Sequence, residues 1–227
     1  MDLIKILKKN KYLYTCLSRN RFLSFCYSKY KYLTGNNIFK KGKRVSGKIK
    51  KDIIGSKNNI TVGNNCEFHD FSIHIRGNNN RIIIGDNCYF GPENNLWAEG
   101  DSNEIIIGPD SSFTWRNHIN AQEGHTKIII GTDCMVSNNI IIRTSDSHPI
   151  YDLNTGERIN PAQDVKIGDH VWIAPNSRVM KGAEIPEGCI VASDSTVNKS
   201  FRSSNCLLGG RPAKVLKENI KWTRNPI

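Results

Sequence analysis

Six branched aliphatic residues stand six positions apart in the C-terminal half of this chain: Ile167, Ile173, Val179, Ile185, Val191 and Val197. A helix repeats its faces about every 3.6 residues and a strand every two, so neither sustains a period of six. A short strand, a turn and a second strand facing the same interior do sustain it. Three such units close one turn of a triangular prism, so 18 residues make a coil. Self-similarity at a fixed period marks a solenoid and outranks local propensity. The expected fold is therefore all-β, a parallel β-solenoid.

The same signal reappears upstream in altered form. Val62-Gly63, Ile84-Gly85, Ile107-Gly108 and Ile130-Gly131 each precede an x-(Asn/Asp) pair, and apolar residues follow at plus six and plus twelve, as in Ile84, Phe90 and Leu96. The later of these coils are 23 residues apart rather than 18. The surplus is polar and turn-forming, as in Gly77-Asn78-Asn79-Asn80, and is expected as a tight detour at one corner. Between Ile130 and Ile167 the spacing rises to 37, and the added length falls between Asp146 and Gln163. A long excursion from a rigid scaffold is where function concentrates.

Charge divides the chain. Residues 1–51 hold fifteen Lys or Arg against the single acid Asp2, while the remainder holds seventeen bases and twenty acids. Three regions follow: a basic, mostly helical segment at 1–51, a solenoid at 52–205 with a loop insertion at 144–164, and a tail at 206–227 ending in a short helix. Lysines interrupt every apolar run of the first 33 residues, so a membrane span and an export signal are not expected. A basic aromatic segment fits peripheral contact with an anionic membrane, at its cytoplasmic inner face, or a cap on the open end of the solenoid. Nucleic acid is not expected, since no recognition motif accompanies the charge. Of seven cysteines, Cys66, Cys88, Cys134 and Cys189 recur at equivalent turn positions. They read as free, buried thiols in a reducing compartment.

The loop opens with Thr144-Ser145-Asp146-Ser147-His148-Pro149-Ile150-Tyr151. An imidazole titrates near ~6.5 and accepts a proton at neutral pH, and a carboxylate beside it can fix its tautomer. His148 is the candidate general base and Asp146 its candidate partner.

This loop, Gly168-Asp169-His170-Val171-Trp172-Ile173-Ala174 and Gly210-Arg211-Pro212-Ala213-Lys214-Val215, set on the six-residue repeat, resemble the left-handed β-helix acyltransferases. That family includes galactoside and maltose acetyltransferases. Asn154-Thr155-Gly156-Glu157-Arg158-Ile159-Asn160 and Lys217-Glu218-Asn219-Ile220-Lys221-Trp222 bring the chain nearest to its capsular polysaccharide, or sialic acid, O-acetyltransferases. The resemblance covers roughly residues 60–222. It implies a homotrimer with acetyl-CoA and a saccharide acceptor in clefts between neighbouring solenoids, and no metal. His148 would deprotonate the acceptor hydroxyl for direct attack on the thioester, with Trp172 near the acetyl group. The backbone at Ala174 and Ser193 would carry pantetheine, and Lys199, Arg211 and Lys214, with Lys217 a further candidate, would meet the nucleotide phosphates. Tyr151 and Arg158 would face the acceptor, and Asn120, from a preceding coil, would orient the histidine. One departure is Pro175, which offers no N–H where the family has a small, Gly-rich pair.

The resulting expectation is an acetyl-CoA-dependent O-acetyltransferase acting on a bacterial surface polysaccharide or its precursor. An acetyltransferase of a small amino sugar, sugar nucleotide or drug would share the same motifs. A zinc hydratase on this fold needs three converging histidines, drawn from His69, His74, His118, His125 and His148. A non-catalytic binding solenoid predicts no acetyl-CoA turnover.

Overall fold

Each inward isoleucine of one coil sits above its counterpart in the coil before, and these stacks build the molecule. A computed structural model describes residues 35–225. Seven parallel strands form the first face: Ile38–Lys41, Asn59–Val62, Arg81–Ile84, Glu104–Ile107, Lys127–Ile130, Val165–Ile167 and Glu184–Ile185. The second face stacks Tyr89–Phe90, Ser112–Phe113, Met135–Val136, Trp172–Ile173 and Ile190–Val191. The third stacks Asn95–Glu99, His118–Gln122, Ile141–Arg143, Arg178–Val179 and Thr196–Val197. The long Glu67–Arg76 strand bends across the second and third faces and pairs along Ser46–Ile54. The described residues thus form an all-β solenoid, and no helix occurs among them.

The register shows why a six-residue period encodes this shape. Ile84 pairs with Ile107, Ile107 with Ile130, Ile130 with Ile167, and Ile167 with Ile185, and all five are buried. On the second face Phe68, Phe90 and Phe113 stack ring on ring, at 5.3 and 4.5 Å between centroids and within 8° of parallel. Burying one such side chain contributes roughly 1.5–3 kcal/mol, and the solenoid repeats the gain at every level.

The five surplus residues of the 23-residue coils do not form the expected detour. They lengthen two faces instead. First-face strands have four residues in the lower coils and two at Glu184–Ile185; third-face strands have five and then two. Each lengthened face gains one inward residue, such as Ala98 beside Leu96 and Ile105 beside Ile107. The polar turns sit at the corner between those faces, where Asn58, Asn80 and Asn103 point inward and are buried. Asn80 Nδ2 donates to Asn58 Oδ1 at 3.1 Å and to the Gly100 carbonyl at 2.9 Å, so the buried amides satisfy one another up the stack.

The Gly-x-(Asn/Asp) motif also has a direct cause. A Cβ on Gly63 or Gly131 would lie 2.3 Å from the Asp86 or Asp169 carboxylate of the next coil. Those carboxylates accept the N–H of Asn64 and of Thr132 at 2.7 Å. The cysteines follow the same logic. Cys66, Cys88 and Cys134 are buried and unpaired, and each thiol donates to a glycine carbonyl one coil on, the role Ser111 fills in the intervening coil. Burial pushes the Cys134 thiol up to about 11.

Two boundaries move. Strand pairing begins at Ile38, so the solenoid reaches into the segment expected to be helical and basic through residue 51. Lys40, Lys41, Lys43, Arg44 and Lys48 lie exposed on its first coil. The helices expected over residues 1–33 lie outside the described residues. The C-terminal helix is not formed. Leu207–Gly210 continues the second face by pairing with Ile190–Val191, and Ala213–Lys217 returns antiparallel along it. Leu207 and Leu208 keep the register of the repeat, so the hairpin covers the top edge, and sheet pairing overrides the helical composition of the tail. No helix of the described residues is long and apolar enough to cross a membrane.

Candidate active site

The third-face strand Ile141–Arg143 ends where the long insertion begins, and Val165–Ile167 resumes the first face. The arm therefore leaves from the corner between those two faces. Its base is closed by the Gln163 N–H on the Thr144 carbonyl at 2.9 Å. Further out, Tyr151 and Arg158 pair as an antiparallel bridge, and the Ile159 N–H donates to the Ile150 carbonyl at 2.9 Å. The Asp152 carboxylate caps the tip by accepting the N–H groups of Asn154 and Thr155 at 2.8 and 2.9 Å. Those two N–H groups hold the Asp152 carboxyl below its usual range.

His148 is exposed on this arm, and among the described residues no hydrogen bond or ion pair engages its ring. Asp146 does not reach the imidazole. Its carboxylate is 2.6 Å from Lys181 Nζ and accepts Asn160 Nδ2 at 3.0 Å. The Lys181 ammonium is the main cause holding the Asp146 carboxyl below its ordinary value. Asn120 contributes its carbonyl, which accepts the Thr144 N–H at 3.1 Å; no hydrogen bond joins its side chain to His148. Arg158 is clamped on Glu123 of the solenoid through two contacts of 2.7 and 2.8 Å. That guanidinium, with help from the Ser145 hydroxyl, depresses the Glu123 carboxyl. Tyr151 is 56% exposed beside it.

Trp172 lies half-buried on the second face, with Nε1 donating to Ser137 Oγ at 3.4 Å. In a triangular prism that face is opposite the corner from which the arm leaves. One chain therefore does not bring His148 and Trp172 together. Beside Trp172 the C-terminal tail is docked by a cluster that the sequence reading missed. Trp222 is buried, 6.1 Å from the Trp172 ring and stacked on His170 at 4.0 Å. Trp222 Nε1 donates to the His170 carbonyl at 3.0 Å. The His170 ring lies 2.6 Å from Asp133, whose other oxygen accepts Arg224 Nε at 2.6 Å. Burial alone would raise the Asp133 carboxyl, and Arg224 and His170 together hold it below its ordinary value. Arg224 also reaches Ser112 Oγ and the carbonyls of Asp110 and Cys134.

The expected cofactor residues fall in two places. Ala174, Ser193 and Arg211 lie along the edge between the second and third faces, with Lys214 in the adjoining hairpin. Ala174 is buried and its N–H is bonded to the Val191 carbonyl at 2.9 Å. Arg211 is partly neutralised by Asp194 at 2.8 Å, while Lys214 is exposed. Lys199 sits at the other edge, two coils above the start of the arm, over the Phe201 ring. A groove of about 580 Å³ continues down the first edge past Asn176, Arg178, His118 and Arg116, and contains none of the expected site residues. The histidines weighed as metal ligands are dispersed: His69 pairs with Glu67, His74 stacks on Trp97 and His118 meets Asn95.

The bacterial transferase hexapeptide (six repeats) family model matches residues 164–199. A polysialic acid O-acetyltransferase of Escherichia coli O1:K1 / APEC is 38% identical over 91 residues, which is 40% of this chain. The match spans only 29% of that relative's length. Among solved structures, the polysialic acid O-acetyltransferase OatWY superposes with a TM-score of 0.71 at 33% identity, over 84% of this chain and 92% of that one. The polySia-specific acetyltransferase NeuO gives 0.72 at 30% identity, over 84% and 79%. The hexapeptide-repeat solenoid and its likeness to these acetyltransferases define an acyltransferase scaffold. The chain belongs to the hexapeptide-repeat acyltransferases, in the branch that holds the polysialic acid O-acetyltransferases.

Proposed function

We propose that this protein is an acetyl-CoA-dependent O-acetyltransferase whose acceptor is a hydroxyl of an anionic bacterial surface polysaccharide, or its precursor. The observation that carries the reading is the arm: a solenoid related to polysialic acid O-acetyltransferases fixes an exposed, unengaged His148 at its corner. In this reading a ring nitrogen of His148 takes the proton of the acceptor hydroxyl. The oxygen attacks the thioester carbonyl, and the tetrahedral intermediate collapses as the imidazolium returns a proton to the departing thiolate. No acyl-enzyme forms.

We read the assembly as a homotrimer of left-handed coils. His148 and Trp172 lie on opposite sides of one chain, so a complete site requires the arm of one subunit against the second face of its neighbour. Trp172, held by the docked Trp222, would then line the acetyl end of the cleft. We assign the pantetheine to the edge at Ala174 and Ser193 and the phosphates to Arg211 and Lys214 beside it, with Lys199, at the other edge, contributing only from a neighbouring subunit. That edge fits the group in one respect and limits it in another: Lys214 is exposed and available to a phosphate, whereas the Ala174 N–H is already bonded within the coil. Tyr151 is assigned to the acceptor, and Arg158, engaged with Glu123, to holding the arm. The exposed bases of the first coil suit an anionic acceptor at the inner face of the membrane, where we place the protein.

The test is acetyl-CoA-dependent thiol release with acidic capsular oligosaccharides, wild type beside His148→Ala. The expected result is acceptor-dependent release that falls about 10² to 10⁴-fold in the variant, with no change in melting temperature. Undiminished release by His148→Ala would remove the histidine from the base role, and absence of saturable CoA binding would remove the reading altogether.

A further inference from the structure

Asn160 is the single buried residue between Ser147 and Asp164, with 7% of its surface exposed. All of its side-chain bonding capacity is directed at the main chain and anchors around His148. Asn160 Nδ2 donates to the His148 carbonyl at 2.9 Å and to Asp146 Oδ2 at 3.0 Å. Asn160 Oδ1 accepts the Ile150 N–H at 2.6 Å and Arg158 Nε at 3.3 Å. The partners fix the orientation of the amide, because two acceptors face the nitrogen and two donors face the oxygen. Reversing the group would oppose like to like at four contacts.

These bonds join the arm to the solenoid by two routes. One runs from Lys181 through Asp146 to Asn160, the other from Glu123 through Arg158 to Asn160. Both meet at an amide that grips the backbone on either side of Pro149, one residue from the imidazole. Taking the acetyltransfer reading as its basis, we infer that Asn160 is the positioning residue for His148, and that Asp146 acts through Asn160 rather than on the imidazole. The backbone carbonyl and N–H that it holds set where the His148 side chain starts. A displacement of about 1 Å in a reacting group costs on the order of 10²-fold in rate.

Two variants separate this role from simple folding. Asn160→Ala removes the whole junction. Asn160→Asp keeps the volume and the oxygen that accepts from Ile150, but withdraws both donations and sets a carboxylate against Asp146. Each is measured for kcat, KM for acetyl-CoA and melting temperature, alone and combined with His148→Ala. The expected result is a loss of kcat of about 10²-fold with KM for acetyl-CoA nearly unchanged. The double variants should fall no further than His148→Ala alone, since a group acting through the histidine has nothing left to position. If Asn160→Ala fails to fold, Asn160→Asp carries the comparison. Wild-type kcat in Asn160→Asp beside an inactive His148→Ala, or losses that add in the double variant, overturns the proposal alone. A wild-type chain that releases no thiol with any acceptor overturns the acetyltransfer reading and the proposal with it.

Discussion

Between Ile128 and Ile142 the inward residues Ile130, Cys134, Val136 and Ile140 are all buried, and together they form part of one continuous apolar core. Directly after Arg143, the arm inverts that pattern. Ile150, Tyr151, Leu153 and Ile159 are exposed, Leu153 completely, and the buried residue is the amide of Asn160. The solenoid is ordered by repeated apolar burial, whose loss at any level leaves a cavity. The arm is ordered by a few polar contacts with the solenoid, Arg158 on Glu123 and Lys181 on Asp146. The difference separates two tasks. Stability belongs to the stack, and the arm is free to carry an exposed histidine and apolar side chains that a packed core would have absorbed.

Substitutions break or sharpen that comparison in order of size. Phe90→Ala removes the middle ring of the Phe68, Phe90 and Phe113 stack, and should cost about 3–5 kcal/mol in denaturant unfolding. A loss below about 1 kcal/mol would mean that the rings are not load-sharing core. Acid should act next, and on the arm first. The Glu123 and Asp146 carboxyls lie below their ordinary values when folded, so their contribution is complete above the usual carboxylate pKa of about 4. It is lost as pH falls through the lower folded values. Pepsin below about pH 4 should therefore cut within 144–164 while the far-ultraviolet signal of the solenoid persists; simultaneous loss of both would contradict a separately held arm. The smallest effect is expected at Lys166→Ala, which removes a 2.9 Å ion pair with Glu184 on the exposed outside of the first face. Chemical denaturation should register a change within about 0.2–1 kcal/mol.

The solenoid was legible because its physics is periodic. Ile167 to Val197 announced inward positions one by one, the cysteines marked a corner, and the gap from Ile130 to Ile167 located the arm. What failed is what periodicity does not encode. A spacing of 23 gives the length of a coil but not the faces that absorb it, so the widening around Ala98 and Ile105 was read as a detour. The tail at 206–227 was expected to end in a short helix, whereas the register of Leu207 and Leu208 with Ile190 and Val191 made a hairpin of it. The arm's chemistry was half legible. His148 stood out by type and setting, but Asn160 meets partners ten, twelve and fourteen residues away with no repeat to announce them. Trp222 and His170 are separated by 52 residues and meet only because the tail folds back.

The most direct test is recovery of the acceptor itself. An anionic capsular polysaccharide that supports thiol release, incubated with acetyl-CoA and wild-type protein, should return carrying acetyl esters that mild base removes, and the same polymer incubated with His148→Ala should return unmodified. Thiol release without ester on the polymer, or equal esterification by the histidine variant, would contradict an arm-borne His148 that activates a sugar hydroxyl.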